Sequence, residues 1–172
     1  MLDISIISGL VAMFSWGIAD FIQSKVVRQM GSYKTMYIGN IVWIIFVLPF
    51  AFFISLKISI TNLILLFVGS VMQVFAIYNF YQSMKIGEVS IVTPISGSYS
   101  IITVLMLLLL LGQKLNLMTI SAIFILIIGI ILTSTDLKKI KHIHTVKGVK
   151  EAVIALLMWG SYFFLLKWLL KI

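Results

Sequence analysis

Between Glu88 and Lys114 the chain runs for 25 residues without a charge, and between Lys114 and Asp136 for another 21. A helix rises about 1.5 Å per residue, so about 20 residues cross the roughly 30 Å hydrocarbon core of a bilayer. In lipid, every backbone amide must find its partner inside the segment, which leaves the helix as the solution for each run. The same reading applies along the chain. Uncharged windows fall at 4–19, 35–56, 58–84, 89–113, 115–135 and 152–166. They predict six transmembrane helices, the first and last extending past a charge at one end. The expected fold is an all-α integral membrane protein in a lipid bilayer.

Composition closes off the other classes. Only 10% of residues are charged, against about 25% in an ordinary soluble domain. The net charge of +8 is the kind that elsewhere points to nucleic acid. Here the lysines sit between apolar runs and read as membrane-flanking anchors, with no nucleic-acid partner implied. The chain has no cysteine, which removes thiol catalysis and cysteine-based metal sites. The N-terminus lacks the basic start and small-residue cleavage site of a signal peptide and carries Asp3. No GxxxxGK[ST] loop, GxGxxG turn or HExxH helix occurs, so no nucleotide or metal cofactor is expected. His142 and His144 form an H-x-H without a ligand set around it, which argues against a metal. No nucleophile–base pair lies at usable spacing, so the chain does not read as an enzyme.

Most connections are short. One longer link is expected from about Lys25 to Lys34, and a second, DLKKIKHIHTVKGVK, from Asp136 to Lys150. The second divides the chain into a five-helix unit (1–136), a lysine-rich loop (137–150) and a final helix (151–172).

Polar residues inside the spans carry the functional reading. In the first helix, Trp16 and Asp20 are four apart and share a face. Asp20 is either an interface carboxylate, snorkelling toward water or pairing with Ser24 or Lys25, or a proton- or cation-sensitive group at a cavity mouth. In the second helix, Asn40 beside Gly39 marks an interhelical hydrogen-bond site. The third is the most polar, with Gln73, Tyr78, Asn79, Tyr81 and Gln82. Tyr78, Asn79 and Gln82 share a face with Phe75, either as glue between helices or as contacts for a solute. In the fourth, Ser90, Thr93, Ser96, Gly97, Ser100 and Thr103 recur every three or four residues. That stripe is a close-packing seam, a cavity wall, or both. Pro94 removes one backbone hydrogen bond and predicts a local kink.

After the lysine-rich loop the chain begins again. AMFSWGIADF (12–21) aligns without gaps to ALLMWGSYFF (155–164), with Trp-Gly at matching helix depth. Such self-similarity marks repeat architecture, which in transporters places two halves across a central site. The residues that carry a family likeness are GLVAMFSWGIADFIQSK (9–25) and SMKIGEVSIVTPISGSYSIITVLMLLLLLGQKLNLMTISAIFILIIGIIL (83–132). Gly87, Glu88, Pro94, Tyr99, Gly112 and Gly129 stand at consistent spacing through the second stretch. The chain resembles the drug/metabolite transporter superfamily, EamA type, over essentially its whole length. That resemblance implies one five-helix repeat followed by the opening helix of a second, truncated one.

It also implies a secondary carrier for a small-molecule solute, driven by a gradient, with alternating access around a cavity lined by the first four helices of each repeat. Trp16, Asp20, Asn40, Tyr78, Asn79, Gln82, Thr93, Pro94 and Tyr99 are the candidate cavity residues carried over. Family members of this type usually have ten helices in two inverted repeats, so a homo-oligomer or a chain carrying the missing helices is expected to complete the cavity. The alternative is a non-transporting membrane fragment, or an interaction subunit of a full-length carrier. Three departures accompany the length. Ser100 stands where a second proline is common, so the fourth helix is expected to be less broken; Gln113 replaces a glutamate and Ala122 a glycine. Nine of the thirteen Lys/Arg lie on the side that faces the end of the first helix, which by the positive-inside rule puts the N-terminus outside. The family resemblance favours the reverse. The residues do not name the substrate: amino acids, sugars, nucleosides and cationic drugs all have carriers of this shape.

Overall fold

The computed structural model describes residues 4–53, 59–112, 116–133 and 146–170. These form seven helices: α1 (Ile4–Met30), α2 (Ser32–Ala51), α3 (Ile60–Ile86), α4 (Val89–Gly97), α5 (Tyr99–Leu111), α6 (Leu117–Thr133) and α7 (Val149–Leu170). Five continuous spans are long and apolar enough to cross a membrane, with α4 and α5 counting as one, and α6 is a shorter apolar helix. The expected six-helix membrane architecture is therefore present. The 113–115 part of the turn after α5, Asp136, His142, His144 and the 137–145 part of the lysine-rich loop lie outside the described residues.

Two boundaries differ from the sequence reading, for physical reasons. The link expected from Lys25 to Lys34 is helix on both sides of Gly31. Lysine, arginine and glutamine are good helix formers, so charge marks where the lipid ends but not where the helix ends. Gly31 makes the turn alone, at φ 85°, a backbone region that L side chains rarely adopt. Its N–H donates to Val27 O, and its carbonyl accepts from Thr35 N and Thr35 Oγ1.

The fourth span is broken even without a second proline. Ser98 N–H donates to Ile95 O instead of Pro94 O, and Ser98 Oγ donates to Pro94 O at 2.6 Å. The hydroxyl replaces the ladder bond that the turn gives up, so a broken helix persists inside lipid without an orphaned carbonyl.

The centre of the bundle is α7, the helix read from sequence as the start of a second repeat. It packs against α3, α4 and α5, and the buried core joins Phe80 and Met84 of α3, Val92 of α4, and Ala152 and Ala155 of α7. Two residues of the small-residue stripe of the fourth span, Ser96 and Thr103, fall on the seam of this packing. Ser96 Oγ donates to Ala152 O, and Thr103 Oγ1 donates to Gly160 O at 3.0 Å, so α4–α5 and α7 run parallel. Gly160 permits the approach: a Cβ there would lie 2.5 Å from Ile102 Cβ. On α3, a Cβ on Gly69 would lie 3.3 Å from the Tyr162 ring, a tight but milder approach. By contrast α1 and α2 are attached lightly, and most of their apolar side chains are exposed.

Candidate functional site

One end of the bundle is tied together by named contacts. Arg28, in the last turn of α1, donates from Nε to Met84 O at 3.2 Å and from Nη2 to Gly87 O at 2.9 Å. These are carbonyls at the C-terminus of α3, which have no intrahelical partner and carry the negative end of the helix dipole. Ser32 Oγ, at the start of α2, donates to Gln82 Oε1 at 2.8 Å. Gly87 and Gly148 let two chain segments cross: a Cβ on Gly87 would lie 2.5 Å from Lys147 O, and one on Gly148 would lie 3.0 Å from Gly87 Cα. Lys25, Arg28, Lys34, Lys85, Lys147 and Lys150 all belong to this end.

About two helical turns inside it, α1, α2 and α3 bring polar groups together. Asp20 is half-buried on α1 and lies within electrostatic range of Tyr81 on α3. Tyr81 Oη stands 4.0 Å from where a Cβ on Gly39 of α2 would be. Neither of the pairings open to Asp20 along its own helix is made. Lys25 Nζ lies over the Phe21 ring, 4.4 Å from its centroid, and Ser24 Oγ donates to Phe21 O at 2.7 Å. Asp20 makes no hydrogen bond and no ion pair among the described residues.

The remaining candidates separate into groups. Asn40, next to Gly39, is half-buried and makes no side-chain hydrogen bond among the described residues, so the interhelical bond read from sequence is not the one formed. Gln82 does bridge two helices, through Ser32. Asn79 bonds within its own helix, Nδ2 to Phe75 O at 2.8 Å, and glues nothing. Tyr78 and Trp16 are exposed, Trp16 at 65%. Thr93 Oγ1 is buried without a partner among the described residues, and Pro94 beside it is half-buried. Tyr99 stacks on Phe163 at 4.8 Å and meets Trp159 edge-on at 5.9 Å.

Two residues at this site were not among the carried-over candidates. Tyr81 falls outside the face shared by Phe75, Tyr78, Asn79 and Gln82; α3 is apolar on most of its surface, so spacing alone could not orient it. Trp159 was legible only as the repeat partner of Trp16. In the structure it joins Phe80 (5.1 Å) to Tyr99, and Phe80 in turn meets Tyr81 at 6.2 Å. An aromatic chain thus runs from Tyr81 and Phe80 on α3 through Trp159 on α7 to Tyr99 on α5. A separate groove between α2 and α3 is lined by Trp43, Ile44, Val47, Leu48, Ser70 and Gln73, with Gln73 Oε1 buried and unpartnered among the described residues.

The described helices form an apolar bundle in which α1 and α2 are the lightly attached pair and Asp20 of α1 is half-buried. The family model of the EamA-like transporters matches residues 3–135. The chain belongs to the EamA-like transporter family. It is a multi-pass membrane protein of the drug/metabolite transporter type, and its family moves small solutes across membranes. No protein of curated function and no solved structure matches the chain. The central helix α7 lies beyond the EamA match, although it holds α3, α4 and α5 together.

Proposed function

We propose that this EamA-like chain is a gradient-driven secondary carrier whose solute path passes between α1, α2 and α3, beside Asp20. The observation that carries the reading is Asp20 itself: a half-buried carboxylate within a membrane span, with Lys25, Ser24 and Arg28 all engaged elsewhere. Ionisable groups inside spans are costly and mark solute or ion pathways when they are not spent on structural pairing. Arg28, Ser32 and the Gly87–Gly148 crossing close the lysine-rich end, so access in this state comes from the opposite end.

A second copy, or a chain carrying further helices, completes the cavity. What supports this is the fate of the repeated decapeptide. In α7, Trp159 and Gly160 are seated against Phe80, Tyr99 and Ile102. In α1 the matching Trp16 is exposed, and Gly17 has nothing among the described residues within 4 Å of its Cβ position. The same bare face would serve an interaction subunit that transports nothing. Proteoliposomes containing the purified chain, with and without an imposed proton or sodium gradient, separate the two. Uptake of at least one solute from a broad metabolite and drug panel is expected; no flux under any gradient would leave the subunit reading.

A further inference from the structure

We propose that the groove between α2 and α3 binds a compact neutral alcohol, one hydroxyl group on a branched or cyclic hydrocarbon body, taken from the hydrocarbon layer of the membrane. The inference goes beyond the carrier reading and holds whether or not the chain transports a solute. The groove has a volume of about 660 Å³, a size common among sites for small organic molecules. Trp43, Ile44, Val47 and Leu48 form its α2 wall, and Ser70 and Gln73 its α3 wall. Gln73 stands eight residues before Tyr81, about 12 Å away along α3, so the groove is set apart from the Asp20 region.

Three observations select the ligand. None of the six lining residues is ionisable, so a charge brought into the groove would lose its water and meet no counter-charge. Polar atoms are present all the same, and they are not spent on the fold. Gln73 Oε1 is buried without a partner among the described residues, which is unfavourable until a donor reaches it. Ser70 Oγ donates to Leu66 O at 2.8 Å, which leaves its lone pairs free to accept. The two residues are three apart and share a face of α3, and the Gln73 amide adds N–H donors that turn with its last torsion. A hydroxyl donates and accepts through one atom and so answers this set. An ether or ketone only accepts, and a hydrocarbon does neither, so both leave Gln73 Oε1 unmet. The third observation is depth. Trp43 and Gln73 lie near the midpoints of α2 and α3, at the level of the middle of the hydrocarbon layer. A phospholipid or long-chain alcohol keeps its polar group at the interface, about 15 Å from there. A compact body carries its hydroxyl to that level.

The test is photolabelling of the purified full chain in lipid nanodiscs, with the labelled residues read by mass spectrometry. Two probes are used at equal concentration in the lipid: a cyclohexanol bearing an alkyl diazirine, and the same ring with a methyl group in place of the hydroxyl. Saturable labelling of the 43–48 and 70–73 stretches by the alcohol is expected, with an affinity about five- to tenfold above that of the methyl analogue, the effect of one hydrogen bond. Gln73→Leu keeps the bulk and removes the amide. It should bring the two probes level, and the variant should unfold no more readily than the parent, since it loses an unpartnered polar group. Equal labelling of the unaltered chain by the two probes would overturn the proposal whatever the variant does, because it would reflect partition into apolar space. Alcohol labelling of a folded Gln73→Leu chain at the parent level would overturn it too. So would a groove that neither probe labels because a second copy covers it.

Discussion

Gly160 and Gly17 occupy equivalent positions in the repeated decapeptide, and the structure assigns them opposite responses to one added methyl group. At Gly160 the new Cβ would sit 2.5 Å from Ile102 Cβ, 2.6 Å from Ile102 Cγ2 and 3.1 Å from Tyr99 O. Ordinary carbon–carbon contact is about 3.5–4.0 Å. Cβ of Ile102 is fixed to its backbone and cannot rotate away, so α5 and α7 must separate by roughly 1 Å to restore that contact. Overpacking of this kind costs about 1–3 kcal/mol. Thr103 also loses its bond to Gly160 O, worth about 0.6 kcal/mol between membrane helices. The better helix propensity of alanine offsets up to about 1 kcal/mol. Gly160→Ala is therefore expected to destabilise the bundle by about 1–2 kcal/mol.

At Gly17 a Cβ would meet no atom of another element within 4 Å among the described residues, so the propensity gain stands alone. Gly17→Ala should be neutral or slightly stabilising in the isolated chain. Reversible unfolding in mixed micelles, followed by tryptophan fluorescence, reads both, since Trp159 sits at the seam. Equal shifts for the two variants, or a more stable Gly160→Ala, would refute the packing of α7 against α5.

Arg28→Ala removes both donors from the C-terminal carbonyls of α3 and should lower stability by about 1–2 kcal/mol, the side chain being too exposed for more; Arg28→Lys, which cannot span both carbonyls, should recover only part of the loss in the same unfolding assay. Ser98→Ala strips the hydroxyl that covers Pro94 O inside the membrane and should cost about 1 kcal/mol, and a variant as stable as the parent chain would show that the break needs no side-chain cover. For Asp20→Asn, any pH dependence of solute flux that depends on this carboxylate should disappear. A profile superimposable on that of the unaltered chain would place the proton-coupled group elsewhere.

The spans themselves were legible because lipid allows one solution for an uncharged run of about 20 residues. The end of α1 was not, because Lys25 and Arg28 end the apolar window while continuing the helix to Gly31. Pro94 announced a disturbance, but the break falls one turn later, where Ser98 N–H turns to Ile95 O and the Ser98 hydroxyl covers Pro94 O. The hydroxyl stripe of the fourth span was open between a seam and a cavity wall. Ser96 and Thr103 fall on the seam, since Ala152 and Gly160 offer α7 carbonyls at close approach, whereas Thr93 keeps a buried hydroxyl without a partner among the described residues. Asp20 stood out in sequence as a charge inside a span, yet whether Lys25 neutralised it was a question of side-chain direction. Tyr81 was hidden for a related reason: a helix apolar on most sides does not reveal which of its polar residues turns toward α1 and α2.

The central claim is that water and solute reach the Asp20–Gly39–Tyr81 region from the end opposite the lysine-rich one. The native chain has no cysteine, so Asn40→Cys introduces a single thiol beside Gly39. Membrane-impermeant thiol reagents applied separately to each face of oriented proteoliposomes should modify it from the side of the α1 N-terminus, much more slowly from the lysine-rich side, and less in the presence of a transported solute. A thiol inert from both sides would mean that α1, α2 and α3 enclose packing alone, and the account of a solute path through them would be wrong.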